Sequence, residues 1–177
     1  MTPADLDAIM PVERRVFADP WSRHMYLTDL TENPLATYCV IRPPDPASGH
    51  PPILAYGGYW LLVDEAHIAT IASHPDWRGC GLGQLLLLAL MASAEARGAV
   101  TATLEVRPSN VAARALYAKL GYEVTGERRR YYRDGENALL MTTPPLASPA
   151  QRERMELARG DALARLERSF GKLEADR

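Results

Sequence analysis

The chain has 177 residues, of which 47% are hydrophobic and 24% are charged, and its formal net charge is −2. This balance is ordinary for a globular protein with an apolar core, and it predicts neither nucleic-acid nor membrane partners. No apolar run reaches the roughly 18 residues of a membrane span, and the N-terminus lacks a signal-peptide pattern. Cys39 and Cys80 fit no metal or disulfide spacing, so we expect a reduced, cytoplasmic protein without a metal.

The first part of the chain predicts two helices followed by three strands. Apolar residues recur at helical spacing between residues 3 and 17, after a Thr2 that can cap the helix, and Pro11 is expected to kink or split it. Ser22 can cap a second helix that runs to about residue 31. β-prone segments then cover residues 36–41, 53–63 and 66–73, with a proline-rich loop at 43–52.

The second part alternates helices with strands. The pattern predicts a strongly apolar helix over residues 82–97, a strand over 100–106, a helix over 111–120, and strands over 122–128 and 138–143. Pro144 and Pro145 end the first domain, which we place at residues 1–145, ahead of a helical tail at 146–177.

The tail predicts an amphipathic helix. Four apolar residues fall on one face amid many charges, namely Leu163, Leu166, Phe170 and Leu173. The simpler interpretation is a helix packed on its own domain. The alternative is that this face meets a partner or a second copy in a homodimer.

A glycine-rich turn connects the third strand to the apolar helix. Residues 78–83 read Arg-Gly-Cys-Gly-Leu-Gly. Such a turn directs the free N–H groups and the positive dipole end of the helix at one spot, which favours a phosphate. No Gly-Lys-Ser/Thr follows, which argues against a nucleoside triphosphate loop, and the turn comes too late for a dinucleotide fold.

Two motifs together resemble the GNAT superfamily of acetyl-CoA-dependent N-acetyltransferases. Residues 78–83 are similar to its Gln/Arg-x-x-Gly-x-Gly/Ala signature, and residues 110–122 are similar to its Asn-x-x-Ala-x-x-Leu-Tyr-x-x-x-Gly-Phe/Tyr motif. The resemblance covers residues 3–143. A narrower resemblance, to the bacterial ribosomal-protein-alanine N-acetyltransferases (the RimI group), rests on residues 19–22, 104–110, 129–132 and 134–138.

The resemblance implies an α/β (α+β) fold, the GNAT acyl-CoA N-acyltransferase fold, with a mixed, mostly antiparallel central sheet flanked by helices and the tail as an extra helix. It implies acetyl-CoA as cofactor and a protein or peptide N-terminus as acceptor, first of all the N-terminal alanine of a small-subunit ribosomal protein. The amine would attack the thioester directly in a ternary complex.

Four features of the sequence depart from the family pattern. They are a missing or very short opening strand, Gly79 in place of a common basic residue, the loop at 43–52, and the tail.

Acetyl transfer requires a base for the amine and an acid for the leaving thiolate. Alternation points Glu105 opposite to its apolar neighbours, and the resemblance places the general base there, acting through a water. His67 on the neighbouring strand is the rival base. The resemblance makes Tyr117 the general acid. The plainer roles are an exposed strand carboxylate for Glu105 and a core aromatic for Tyr117.

The resemblance also assigns the residues that hold coenzyme A. The N–H groups of the turn take the pyrophosphate, a backbone N–H at a bulge in residues 71–73 meets the acetyl oxygen, and splaying of strand 66–73 from strand 100–106 opens a slot for the pantetheine arm. Asn110 doubles as a helix cap. The expected set is Ile71, Ala72, Ser73, Arg78, Gly79, Cys80, Gly81, Leu82, Gly83, Asn110 and Tyr117.

Acceptor contacts are expected from two loops that flank the peptide groove in similar enzymes. The expected residues are Trp21, with its neighbour Pro20, and Tyr131 and Tyr132. Their plainer role is loop packing. A second hypothesis keeps the chemistry but makes the acceptor a lysine side chain or a small-molecule amine. A third is a non-catalytic acyl-CoA sensor or interaction module.

Overall fold

The structure, a computed structural model, describes residues 1–45 and 49–175, without the side chains of 171–175. The helices are α1 (Leu6–Val16), α2 (Arg23–Thr31), α3 (Leu82–Ala96), α4 (Val111–Lys119) and α5 (Pro149–Ala175). The strands are β1 (Ala36–Ile41), β2 (Ala55–Leu62), β3 (Glu65–Ser73), β4 (Thr101–Val106), β5 (Glu123–Arg128) and β6 (Ala138–Thr142). The predicted strand boundaries therefore hold to within two residues. Residues 46–48 of the proline-rich loop lie outside the described residues.

All six strands form one sheet in the order β1-β2-β3-β4-β6-β5. Neighbouring strands are antiparallel except β3 and β4, which are parallel because the chain crosses over through α3 between them. The prediction of a mixed, mostly antiparallel sheet is confirmed. No strand precedes β1 in the described part of the chain, where the Met1 ammonium instead donates to the carbonyl of Tyr38 at 3.2 Å.

Helices cover both faces of the sheet and create two apolar cores. The first core contains side chains of α3, α4 and α5, such as Leu86, Tyr117 and Ala158. The second contains side chains of α1 and α2, such as Ile9 and Tyr26. The sheet is buried on both sides as a result, which holds the strand ends that form the site in fixed positions.

A β-bulge interrupts the pairing of β2 with β3. Thr70 pairs with Gly58 and Ile68 pairs with Tyr59, so Ala69 has no partner of its own. The resemblance had placed a bulge at residues 71–73. That position was wrong, because the irregularity lies in mid-strand, opposite the glycines of β2.

The bulge shifts the alternation of side chains in β3 by one residue, so the faces exchange after Ala69. Ile68 lies in the first core, and three residues later Ile71 packs against the same core, whereas Ala72 belongs to the second. In a regular strand residues 68 and 72 would share a face. The bulge therefore turns Ile71 and Ser73 toward the side of the sheet that α3 covers.

Gly58 lies in close contact with an aromatic ring of the neighbouring strand. A Cβ atom at Gly58 would overlap the ring of Tyr38, its pairing partner in β1, which belongs to the second core. The glycine therefore serves ring packing in addition to the bulge beside it.

Helix α1 is not split at Pro11, so of the two predicted outcomes the split is wrong. Pro11 lies inside a single α-helix, where it lacks the N–H that would bond to the carbonyl of Asp7. Leu6, Ile9 and Val12 are buried on the same face of the helix. Their packing against the sheet keeps the helix continuous despite the lost hydrogen bond.

Helix α5 packs on its own domain, which confirms the simpler interpretation of the tail. Ala158 and Ala162 are buried, and Gln84 of α3 donates to the carbonyl of Ala158. Lys119 of α4 pairs with Asp161. Although α5 has 27 residues, none of the helices in the described part of the chain has the length and apolar character of a membrane span.

The predicted apolar face of the tail is only partly buried. Leu166 and Phe170 pack against the first core, and the Phe170 ring lies 5.0 Å from the Trp77 ring, centroid to centroid. Leu163 remains 43% exposed, and the side chain of Leu173 lies outside the described residues.

Helix α5 also contacts the glycine turn that precedes α3. Gly81 caps α3 in the left-handed region with φ +92°, and a Cβ atom there would lie 2.7 Å from the carbonyl oxygen of Ala162. Gly79 has a similar φ of +80°, but a Cβ atom there would meet nothing within 4 Å.

Alanine at these two glycines separates backbone strain from steric overlap. We expect Gly79→Ala to lower the free energy of unfolding by about 1 kcal/mol, because only the left-handed conformation is penalised. Gly81→Ala should cost about 3 kcal/mol, because the methyl group also overlaps α5. Urea denaturation of both variants measures the difference. Equal decreases in the free energy of unfolding would show that α5 does not pack against Gly81 closely enough to exclude a methyl group.

Candidate active site

The site forms where two parallel strands separate. β3 and β4 pair only from Glu65–Thr101 to His67–Thr103, although β3 continues to Ser73 and β4 to Val106. Beyond the last pair, β4 bonds only to β6 on its other edge. The main chains of β3 and β4 therefore separate, as expected from the resemblance, and border a space that we call the slot.

The glycine turn closes one end of this slot. Ser73 ends β3, and its Oγ would lie 3.4 Å from a Cβ atom on Gly83 in the first turn of α3. The N–H groups of Gly81, Leu82 and Gly83 donate to no acceptor within the described residues, as is usual at a helix start. A slot ending in free N–H groups suits a chain-like ligand with a phosphate group.

Asn110 acts as a helix cap. Its Oδ1 accepts a hydrogen bond from the N–H of Ala113 at 3.2 Å, which fixes the start of α4. This cap fixes the start of the helix that carries Tyr117.

Glu105 is held between two basic side chains. It lies in β4 two residues after Thr103, and its side chain is only 6% exposed. Oε2 lies 2.9 Å from Nε2 of His67 in β3, and Oε1 lies 2.8 Å from Nε of Arg128 in β5. The structure therefore brings the two candidate bases, Glu105 and His67, into direct contact.

The environment of Glu105 keeps it ionised. Burial on its own raises the pKa of this carboxyl, but the hydrogen bond and charge of His67 and the charge of Arg128 outweigh that effect. The pKa is lowered below its ordinary value as a result. At neutral pH the group is a carboxylate that can accept a proton, with a basicity that its two partners reduce.

Tyr117 is buried on α4 beside a second tyrosine. Its ring centroid lies 5.8 Å from that of Tyr122. Burial is the main cause that raises the pKa of Tyr117, with a smaller effect from Tyr132, so the hydroxyl is protonated at neutral pH. The Tyr122 hydroxyl is buried and has no hydrogen-bond partner within the described residues.

Arg107 fixes the loop between β5 and β6. Its Nη1 pairs with Asp134 at 2.7 Å and with Glu136 at 2.8 Å, and its guanidinium lies 3.7 Å from the ring centroid of Tyr132. Glu136 also accepts from the N–H of Ser109 at 2.9 Å. The Arg107 hydrogen bond is the largest cause that lowers the pKa of Glu136 to about 2.

This loop brings two tyrosines near Glu105. Burial is the main cause that raises the pKa of Tyr131 and of Tyr132, and the negative charge of Glu105 adds to it in both. Tyr132 also influences Tyr117. The two expected acceptor-contact tyrosines therefore lie within electrostatic range of the candidate base.

An aromatic row leads from the loop between α1 and α2 to the same carboxylate. Trp21 stacks on Trp60 with centroids 6.0 Å apart, and Trp60 stacks on His67 at 6.1 Å. Asp29 accepts from the Trp60 indole N–H at 2.7 Å, which fixes the middle ring. Trp21 thus packs against its neighbours, and through Trp60 it supports the side chain that contacts Glu105.

Glu13 anchors the same loop to the second core. The carboxylate is 1% exposed and accepts from the N–H of Trp21 at 2.8 Å, from the hydroxyl of Tyr26 at 2.9 Å and from the hydroxyl of Tyr56. Burial, followed by the charge of Glu13, raises the pKa of Tyr26. The buried charge is therefore satisfied by three donors.

The two aromatic loops are joined by an ion pair. Nε of Arg133 lies 2.9 Å from Oδ2 of Asp19, next to the exposed Pro20. The Arg133 side chain is 85% exposed, so this bridge contributes little stability and can open readily.

Sequence reasoning missed Glu13 and Arg128. A signal for Glu13 was available, because it follows Ile9 by four residues on the apolar face of α1. No such signal in the sequence indicated Arg128, because its contact with Glu105 depends on β6 lying between β4 and β5 in the sheet.

Comparisons with known proteins agree with this geometry. Residues 6–122 match the sequence profile of the acetyltransferase (GNAT) family. The ribosomal protein bS18-alanine N-acetyltransferase of Escherichia coli strain K12 is 36% identical over 143 residues, covering 79% of this chain and 91% of the relative. The Salmonella typhimurium strain LT2 protein of the same name is 35% identical over 147 residues, covering 81% and 94%.

A solved structure extends the likeness to the fold. The crystal structure of the ribosomal-protein-S18-alanine N-acetyltransferase from Escherichia coli aligns with a TM-score of 0.72 at 34% identity, covering 84% of this chain and 94% of that one. The family match spans more than half of the chain and includes the glycine turn, Glu105 and Tyr117. The chain therefore belongs to the GNAT family of acetyltransferases, enzymes that take the acetyl group from acetyl-CoA.

Proposed function

We propose that this protein acetylates a protein N-terminal amine, and that its acceptor is the N-terminal alanine of a small-subunit ribosomal protein. The position of Glu105 carries the proposal, since an ionised carboxylate lies beside the slot and near two loop tyrosines. The names of the Escherichia coli and Salmonella relatives support the choice of acceptor. We assign the activity to residues 1–145, with 146–177 as a docked tail, in the cytoplasm where ribosomal proteins are made.

The residues around the slot fit acetyl-CoA, which would supply the acetyl group as a thioester. The free N–H groups at the start of α3 suit its pyrophosphate, and the unpaired edge of β3 over residues 71–73 suits the amide-containing pantetheine arm. Arg78 is exposed next to the turn and can add a positive charge. We therefore retain the cofactor-binding set expected from the sequence.

Glu105 is assigned the role of general base. An amine arrives mainly as ammonium at neutral pH and has no lone pair until a proton is removed. The carboxylate can take that proton through a water, which relaxes the need for direct contact. The lowered pKa of Glu105 ensures that the base is ionised over the whole neutral range.

Tyr117 is assigned the role of general acid. Its raised pKa keeps the phenol protonated at neutral pH, so its O–H is available as a donor to the sulfur of the leaving group. Tyr117 is buried on α4, and Glu105 lies on β4. An acid and a base on different elements suit proton removal from one reactant and proton delivery to the other.

Replacement of the base should abolish most of the activity. We expect Glu105→Gln to lower kcat/KM by about 100-fold or more, because the amide cannot accept the proton. Glu123→Gln, at an exposed site of β5, is the matched control and should behave as the wild type. Acetylation of an alanine-first peptide, followed by mass spectrometry, measures both. Full activity in Glu105→Gln would refute its assignment as base.

The two neighbouring tyrosines provide a paired test of the acid. Tyr117→Phe should lower kcat by about 100-fold while coenzyme A binding is retained. Tyr122→Phe should keep its activity and unfold at the same or a slightly higher temperature, because it removes a buried hydroxyl without a partner. Steady-state kinetics and thermal melts measure these effects. Equal loss of activity in both variants would point to packing instead of proton transfer.

The acceptor class is tested with a panel of amines. An alanine-first ribosomal peptide, the same peptide with a blocked N-terminus and an internal lysine, and a polyamine are each incubated with acetyl-CoA. We expect product only from the free N-terminus. Product from the lysine or the polyamine alone would support the second hypothesis, and coenzyme A binding without any product would support a sensor.

A further inference from the structure

Both oxygens of the proposed base are occupied by side chains of the protein itself. Oε1 is paired with Arg128 and Oε2 with His67, and the Glu105 side chain is 6% exposed. An acceptor amine, or a water leading to it, must come within about 3 Å of one of these oxygens. Each carboxylate oxygen can accept a second hydrogen bond, but the two basic side chains leave only 6% of the Glu105 side chain exposed. One of them must therefore move aside before an acceptor can reach Glu105.

His67 is fixed in place. It lies in β3 in register with Thr103 of β4, its side chain is 17% exposed, and its ring stacks on Trp60. Trp60 is in turn held by Asp29 and by Trp21. Displacing the imidazole would disrupt this whole row, so His67 acts as a positioning residue for Oε2.

Arg128 is the side chain that can leave. It ends β5, the edge strand of the sheet, and reaches Glu105 across β6. Its side chain is 54% exposed, so the guanidinium is already partly hydrated and can return to water readily. An alternative position is at hand, because the Arg128 guanidinium already lies 5.9 Å from the ring centroid of Tyr131.

The group that replaces Arg128 must be a cation that donates hydrogen bonds to a carboxylate. The N-terminal ammonium of an acceptor has this chemistry. We propose that Arg128 occupies the acceptor-ammonium subsite at Oε1 of Glu105 and competes with the acceptor for it. The inference rests on the proposed function, since it assumes that an amine is brought to Glu105.

Competition by Arg128 would have two effects. The acceptor must displace a guanidinium, which weakens its binding by about two- to fivefold for an exposed ion pair. Departure of Arg128 also removes one of the charges that lower the pKa of Glu105, so the carboxylate is more basic beside the neutral amine that forms from the acceptor than it is beside the guanidinium. The remaining groups that face Glu105 are His67 from β3 and Tyr131 and Tyr132 from the loop after β5.

The test compares Arg128→Gln with the wild type. We expect the KM for an alanine-first peptide to fall about two- to fivefold. The acidic limb of kcat/KM against pH should move to higher pH, because loss of a positive charge raises the pKa of Glu105. Arg129→Gln removes the same charge from an exposed side chain without an ion pair in the described residues, and it should change neither quantity.

A binding experiment makes the test independent of turnover. The protein loaded with coenzyme A, which carries no acetyl group, is titrated with the alanine-first peptide and with the same peptide already acetylated at its N-terminus. Arg128→Gln should bind the free amine more tightly by the same two- to fivefold factor and the acetylated peptide no differently. Arg128→Lys keeps the charge and should retain wild-type affinity for the free amine.

Several outcomes would overturn the inference. A higher KM or weaker binding of the free amine in Arg128→Gln would mean that Arg128 binds the acceptor directly. Unchanged affinity, or an acidic limb that does not move, would mean that it does not compete at Oε1. Failure of the proposed function is recognised separately, because Glu105→Gln would then keep its activity or no N-terminus would be acetylated.

Discussion

The site depends on the separation of two parallel strands. β3 and β4 are held together over three residue pairs and then diverge, because β4 is bonded to β6 whereas β3 follows β2 and its bulge. Without this divergence, main-chain hydrogen bonds would fill the space between the strands, and Glu105 would lie in a closed sheet. The same divergence places the end of β3 beside the first turn of α3. The slot, the glycine turn and the carboxylate are therefore consequences of one constraint on strand pairing.

Two carboxylates with low exposure serve different purposes because their partners differ. Glu13 is surrounded by neutral donors, the hydroxyls of Tyr26 and Tyr56 and a backbone N–H, which satisfy it without a counter-charge. Glu105 is paired with basic side chains, one of them on the exposed edge strand. Neutral donors in a core form a permanent structural link, whereas an exposed guanidinium can be exchanged for another cation.

Local pattern was sufficient to predict most elements, the fold class and the family. Helix caps such as Ser22 and Asn110 operate within four residues, and the two motifs that resemble the family are short, so both are readable from one sequence. The bulge at Ala69 was misplaced because the register of β3 against β2 is a property of two strands. The continuity of α1 through Pro11 was missed because tertiary packing outweighs the loss of one hydrogen bond. The Arg128–Glu105 contact requires the order of three strands, which no local pattern contains.

The hydrogen bonds to Glu13 have a consequence for recognition. The loop that carries Trp21 is anchored through its own backbone N–H to a carboxylate inside the second core, and its indole ring is stacked in a row. The conformational entropy of this loop is therefore lost when the protein folds. Under the proposed function, an incoming peptide would meet a preorganised surface on this side. The partly exposed side chains near Glu105 are the adaptable ones, so under the proposed function discrimination among acceptors would fall mainly to Tyr131, Tyr132 and Arg128.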